Sequence, residues 1–290
     1  MELFSLSLRK CRLVELVIEY LTKLIEALHL AVYSYIKPAA PHRFSSRFKD
    51  LETIIFTATS SLDVYSQAFT AGLDISTGKE TLYSIGIGRL FYHSLAKSYR
   101  KLGIRAYQAL NLVLVPTSLS IGYSARQQHF VNSYKRIFSA VLEVNNPKDV
   151  VALVDGIRQF YGIGSVVLVE QGLTPSKLAT EKPSIGDVLL LMGVKARDLL
   201  YTLKRMDYVF EVGTEVARMI SSGADPNDVA VRAFLRLAQT ECEKLRRVSE
   251  IDQKSLYDLD KELLRDGVDL SYLITPLTLA LLLSNYLSEK

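Results

Sequence analysis

Cysteine is nearly absent from this chain: two in 290 residues, Cys11 and Cys242, far apart on segments that read as helices. That excludes a disulfide-stapled scaffold. The chain also opens without a charged-then-apolar leader, so a reduced, cytoplasmic protein is expected. Histidine is also sparse. His29, His42, His93 and His129 are scattered, and none stands with another His, Cys or carboxylate at the spacing a zinc site requires. No charge of one sign is concentrated either: 35 basic and 31 acidic residues are interspersed, for a net charge of +4, so no block offers an electrostatic footprint for nucleic acid. The densest basic group, Lys97, Arg100, Lys101 and Arg105, reads as a solvated helix end. With 49% hydrophobic and 23% charged residues, 15 Gly and 8 Pro, the composition excludes disorder, collagen-like repeats and low-complexity linkers.

Long uncharged runs are limited to two, Ala106 to Ala125 and Leu270 to Ser288. The first carries Gln108, Asn111, Pro116 and three serines. The second is broken by Pro276, leaving a helix of about 12 residues, ~18 Å long, where the hydrocarbon layer needs ~30 Å. Both read as buried core helices rather than membrane spans.

What the chain has in abundance is helical periodicity. Leu13, Leu16, Val17, Tyr20, Leu21, Leu24 and Leu28 form one face of a helix running to about Ile36, with Arg12, Glu15, Glu19, Lys23 and Glu26 on the other. Asn146 before Pro147, Asp225 before Pro226 and Thr275 before Pro276 mark helix starts, while Gly103, Gly162, Gly223 and Gly267 mark stops. Only Ser165 to Glu170 has the β-branched density of a strand, and since a lone strand cannot bury its edges it is expected to be an extended connector. The polar stretch from Gly172 to Ser184 is the one candidate boundary, but it is short. The pattern therefore predicts an all-α chain, residues 1–290, as a single multi-helix domain of about ten helices.

Motifs of common cofactor folds fail on inspection. Thr77-Gly78-Lys79-Glu80 has Leu73 where a phosphate loop needs its first glycine, and Glu80 where it needs a hydroxyl. Gly86-Ile87-Gly88 and Gly162-Ile163-Gly164 follow no strand, so close helix packing explains the first and a helix stop the second. No flavin, haem or nicotinamide signature is present. One loop stands out. Lys37-Pro38-Ala39-Ala40-Pro41-His42-Arg43-Phe44 is stiffened by proline and presents three basic side chains that can hold phosphate oxygens, or it is a helix connector with solvated charges.

The order of these signals resembles the triphosphoribosyl-dephospho-CoA synthase family, in its archaeal form. Lys37-Pro38, then His42-Arg43 and Asp50, resemble the family's Pro-Lys-Pro-Gly loop with its downstream His/Asp-Arg pair and Asp. Leu112 to Pro116, Asp149 to Arg158, Arg197-Asp198-Leu199 and Leu259 to Leu263 resemble later family segments in the same order. The resemblance implies an all-helical protein that moves the triphosphoribosyl group of ATP to a ribose hydroxyl of dephospho-CoA or a related acceptor, releasing adenine. It implies ATP as substrate with Mg²⁺, Lys37, His42, Arg43 and Arg105 as substrate-binding groups, and Asp50, Asp198 and Asp260 as catalytic acids. Ala31 stands where the family has glutamate, Ala39 where it has the loop glycine, Arg105 to Ala109 replace its Asn-Thr-Asn segment, and Ser271 to Pro276 hold no acid. These departures set beside the enzyme a second expectation, a catalytically degenerate relative that binds or scaffolds. A homodimer is expected because helical chains this rich in Leu and Tyr often bury surplus apolar surface against a copy.

Overall fold

The three-and-four spacing of apolar residues becomes helix nearly everywhere. The computed structural model describes residues 2–45, 48–246, 248 and 252–287, and among them no strand occurs. The helices are α1 (Glu2–Tyr33), α2 (Phe48–Thr59), α3 (Leu62–Ser76), α4 (Ile87–Leu102), α5 (Gln108–Ser124), α6 (Phe130–Leu142), α7 (Pro147–Phe160) and α8 (Gly162–Glu170). There follow α9 (Pro175–Glu181), α10 (Ile185–Met192), α11 (Arg197–Lys204), α12 (Met206–Ser221), α13 (Pro226–Gln239), α14 (Glu243–Arg246), α15 (Gln253–Arg265) and α16 (Ile274–Leu287). Single 3₁₀ turns, Gly103–Arg105 and Ser271–Leu273, precede α5 and α16.

The all-α expectation holds, but the count of about ten does not: the described residues form sixteen α-helices. Short helices account for the excess. α9 lies inside the expected polar boundary, with the Thr174 hydroxyl accepting the Lys177 amide at its start. Ser165 to Glu170 belongs to α8 rather than to an extended connector. Val167 and Leu168 are buried against α7 and α10, and this tertiary packing outweighs the strand propensity of valine.

Asn146 and Asp225 cap α7 and α13 as their prolines foretell. Gly103, Gly223 and Gly267 end their helices with positive φ. Gly162 does not, because α8 begins there. Thr275 caps nothing: α16 starts one residue earlier, and the threonine hydroxyl is taken by the carboxyl of Asp198.

The two uncharged runs become the middle of the molecule. α5 is buried along nearly its whole length, as is α16 from Ile274 to Ser284, while Ser288 lies outside the described residues. α3, α4 and α6 wrap α5; α1, α12 and α13 wrap α16. Among the described residues no single helix is long and apolar enough to cross a membrane, and the pair α7 and α8, apolar enough together, bends by 118°. Two crossings rest on glycine. A Cβ on Gly72 would lie 2.1 Å from the Leu119 carbonyl oxygen and one on Gly122 2.0 Å from that of Phe69, so α3 and α5 touch backbone to backbone. Gly88 sits equally close to Asp149, whose carboxylate accepts the Gly88 amide at 2.8 Å and joins the starts of α4 and α7.

Candidate functional site: a cleft among helix starts

Five helix starts meet at one end of the molecule around a cleft of about 730 Å³. α2 contributes Lys49, Asp50, Thr53 and Ile54; the approach to α5 contributes Arg105, Tyr107 and Gln108; Tyr161 precedes α8. Lys195, Arg197 and Asp198 open α11, and Asp269, Ser271 and Tyr272 precede α16. Helix starts carry unpaired amides and the positive end of the backbone dipole, so their gathering favours a negatively charged guest. The side chains reinforce this. Lys49 and Arg105 form no ion pair with a described residue, whereas Lys195 is paired with Glu170 at 2.6 Å. Arg197 lies over the Tyr272 ring at 4.0 Å.

Asp198 is the buried acid of the cleft. Burial raises its carboxyl above the ordinary carboxylate value, against hydrogen bonds from the Leu199 amide, the Tyr107 hydroxyl and, at 3.3 Å, the Thr275 hydroxyl. Tyr107 and Tyr161 are pushed up first by their own burial and then by the neighbouring Asp198, so both stay neutral phenols. The wall therefore sets a buried carboxyl of raised pKa and two phenols beside Lys49 and Arg105, which have no acidic partner among the described residues. Behind it, Gln108 is fully engaged: its amide donates to the carbonyls of Leu95 and Phe160, at 3.1 and 3.0 Å, and its oxygen accepts from Ser98 and Asn111 at 2.8 Å. Its function is to hold the start of α5 in place.

No family model, curated protein or solved structure matches this chain.

Of the residues singled out in the sequence, Asp50, Arg105 and Asp198 come together at the cleft; Lys37, His42, Arg43 and Asp260 do not. Lys37 is wholly buried. Its ammonium faces the Val32 carbonyl at 3.3 Å and the Ser34 hydroxyl at 3.0 Å, closing the end of α1. Burial, with the Arg43 charge adding to it, lowers its pKa to about 7. Arg43 is exposed and caps the same helix end, donating through Nε to the Tyr33 carbonyl at 2.5 Å and through Nη2 to Asn227 at 3.1 Å. His42 Nδ1 accepts the Phe44 amide at 3.2 Å, which leaves Nε2 with the proton, 3.4 Å from Asp260 Oδ2. Asp260 Oδ1 accepts the Ala39 amide at 2.8 Å. α15 thus clamps the loop through one carboxylate, and the loop's basic groups face helix ends rather than the cleft.

Ala39, where the resemblance expects glycine, has φ +58. The backbone there keeps the left-handed conformation that favours glycine, at a cost of about 1 kcal/mol for a residue with a Cβ. Ala31 is buried in α1. The cleft residues that the sequence did not single out include Lys49, Thr53, Tyr107, Tyr161, Lys195, Asp269 and Tyr272. A usable signal was the charge density of Lys195 to Asp198 at a helix start; the tyrosines carried none. A second hollow of about 240 Å³ between α12 and α13 is floored by Val212, Val216 and Met219. Its Glu215 and Arg236 are joined by two hydrogen bonds of 3.0 and 3.1 Å.

Proposed function

We propose that the cleft binds a nucleotide polyphosphate and that the chain transfers a pentosyl group from it, in the manner of triphosphoribosyl-dephospho-CoA synthases. The observation that carries this reading is the meeting of helix starts, the buried Asp198, and Lys49 and Arg105 without an acidic partner among the described residues. The cations and backbone amides suit phosphate oxygens. In the transfer, an acceptor hydroxyl attacks the anomeric carbon, the glycosidic C–N bond breaks, and adenine leaves. Asp198 passes the hydroxyl proton toward the departing base, so the acceptor loses the proton that adenine gains. The neighbouring phenols of Tyr107 and Tyr161 keep water from that carboxyl.

Among the described residues no group of three or more His, Cys, Asp and Glu side chains could hold a metal ion. Magnesium in such a site would come with the nucleotide, whose phosphates supply most of its ligands. The second reading, a degenerate relative that binds without turnover, rests on the departures at Ala31, at Arg105 to Ala109 and at Ser271 to Pro276.

Calorimetry with Mg-ATP tests the site. Binding that weakens by ~100-fold in Lys49→Ala/Arg105→Ala supports it; no heat with the wild-type chain, or heat unchanged in that variant, overturns it. Chromatographic detection of adenine, formed by the wild type and lost in Asp198→Asn, separates transferase from binder.

A further inference from the structure

Helix α8 carries its apolar residues in two directions. Val167 and Leu168 turn inward against α7 and α10, while Ile163, Val166 and Val169 point outward, 45%, 48% and 75% exposed. The outward three recur every third residue, along a stretch that holds no charged residue from Gly162 to Val169. α10 lies alongside: a Cβ on Gly164 would stand 3.2 Å from Met192 Sδ. A second outward row, Leu190 on α10 and Val194 just past its end, is 43% and 65% exposed. Lys195 meets Glu170 at 2.6 Å and so ties the end of one row to the end of the other. The two rows together leave an apolar face of about 500 Å² open to water, in the upper part of the range for the largest patch on a monomer.

We infer that this face is where a second copy of the chain docks, about a two-fold axis that sets α8 against α8 of the copy. Area and charge both select the copy. A homodimer interface covers about 800 Å² on each partner and is about 65% apolar, so it needs roughly 520 Å² of apolar surface from each, which is what the face supplies. The charges at its edge, Glu170 and Lys195, already neutralise each other, and Asp187, exposed on α10, is engaged by the Ser184 cap. Like can therefore meet like without repulsion, as an isologous contact requires, and a nucleic acid or an anionic lipid surface finds no net charge to hold. About a two-fold axis the Lys195 of each copy can also exchange its Glu170 for that of the other, which costs the pair nothing. Lys195 belongs both to this face and to the lining of the cleft, but the inference does not depend on what the cleft binds.

Sedimentation equilibrium of the full chain from ~1 to ~100 μM reads the mass. A dimer is expected. Its dissociation constant should rise at least ~100-fold in Val169→Lys and, independently, in Val194→Glu. Ile18→Lys, at an exposed apolar residue of α1 outside the face, should leave it within about threefold. Unchanged far-UV circular dichroism shows that each exposed replacement folds, and if one of the two face variants unfolds the other carries the test. A monomer throughout the range, a dimer equally tight in both face variants, or one weakened as much by Ile18→Lys overturns the inference. So does a monomeric wild type that floats with phosphatidylcholine vesicles and loses that property in Val169→Lys, which would give the face to lipid.

Discussion

The loop from Lys37 to His42 and the cleft are both rich in basic residues near helix ends, yet they use charge in opposite ways. In the loop, the buried basic side chains are engaged by the protein itself: Lys37 closes α1, and Asp260 holds both His42 and the Ala39 amide. In the cleft, Lys49 and Arg105 extend from helix starts without an acidic partner among the described residues. A buried ionisable group that is hydrogen-bonded within the protein serves architecture; a cation without an acidic partner near the positive ends of helices is available to a ligand. What separates the two is the destination of each side chain, not its type.

The contrast can be broken at its strongest point first. Replacing Asp260 by Ala should strand His42 and the Ala39 amide and cost about 3–5 kcal/mol of unfolding free energy, read by denaturant titration, while ATP affinity stays within about threefold. A large loss of affinity with little loss of stability would place the loop in the site after all. The converse variant, Lys49→Ala/Arg105→Ala, should weaken ATP by about 2.7 kcal/mol and leave the thermal midpoint unmoved.

Lys37 sharpens the comparison through pH. Its folded pKa of about 7 lies below the unfolded value of 10.5, so the unfolded chain holds the extra proton between the two. Stability should therefore rise with pH over that window, by up to ~1.4 kcal/mol per unit, and this contribution to the slope should vanish in Lys37→Met. Equal slopes for the two proteins would show that the ammonium is not confined. Asp198 runs the other way. Its raised pKa means that stability is lost as pH climbs through the folded value, so Asp198→Asn should be at least as stable as wild type at neutral pH. The smallest effect is expected at Ala39, where glycine should change stability by no more than ~1 kcal/mol, relief at positive φ being offset by a freer unfolded chain and a lost buried methyl.

Much of the fold was legible because period-3.6 patterning and the Asn146-Pro147 and Asp225-Pro226 caps are local signals. The cap expected at Thr275 failed because its hydroxyl serves Asp198, 77 residues away, a partner no local window contains. Helix α8 was hidden for the same reason: Val167 and Leu168 are buried against α7 and α10, while Val166 and Val169 stay exposed. At the cleft, Asp50, Arg105 and Asp198 were singled out through the family resemblance. Tyr107, Tyr161 and Tyr272 could not be, since they meet only when five segments distant in the chain converge. The loop cations were conspicuous as residue types, but burial, which decides their use, depends on α15 closing over them.

Gly72 and Gly122 bear on all of this from a distance. With main chain resting on main chain, the gap between α3 and α5 is set by atoms that every amino acid shares, and no exchange of neighbouring leucines, methionines or phenylalanines can widen it. The interior around that contact is free to be repacked, while the mouth at the head of α5 keeps its bearings.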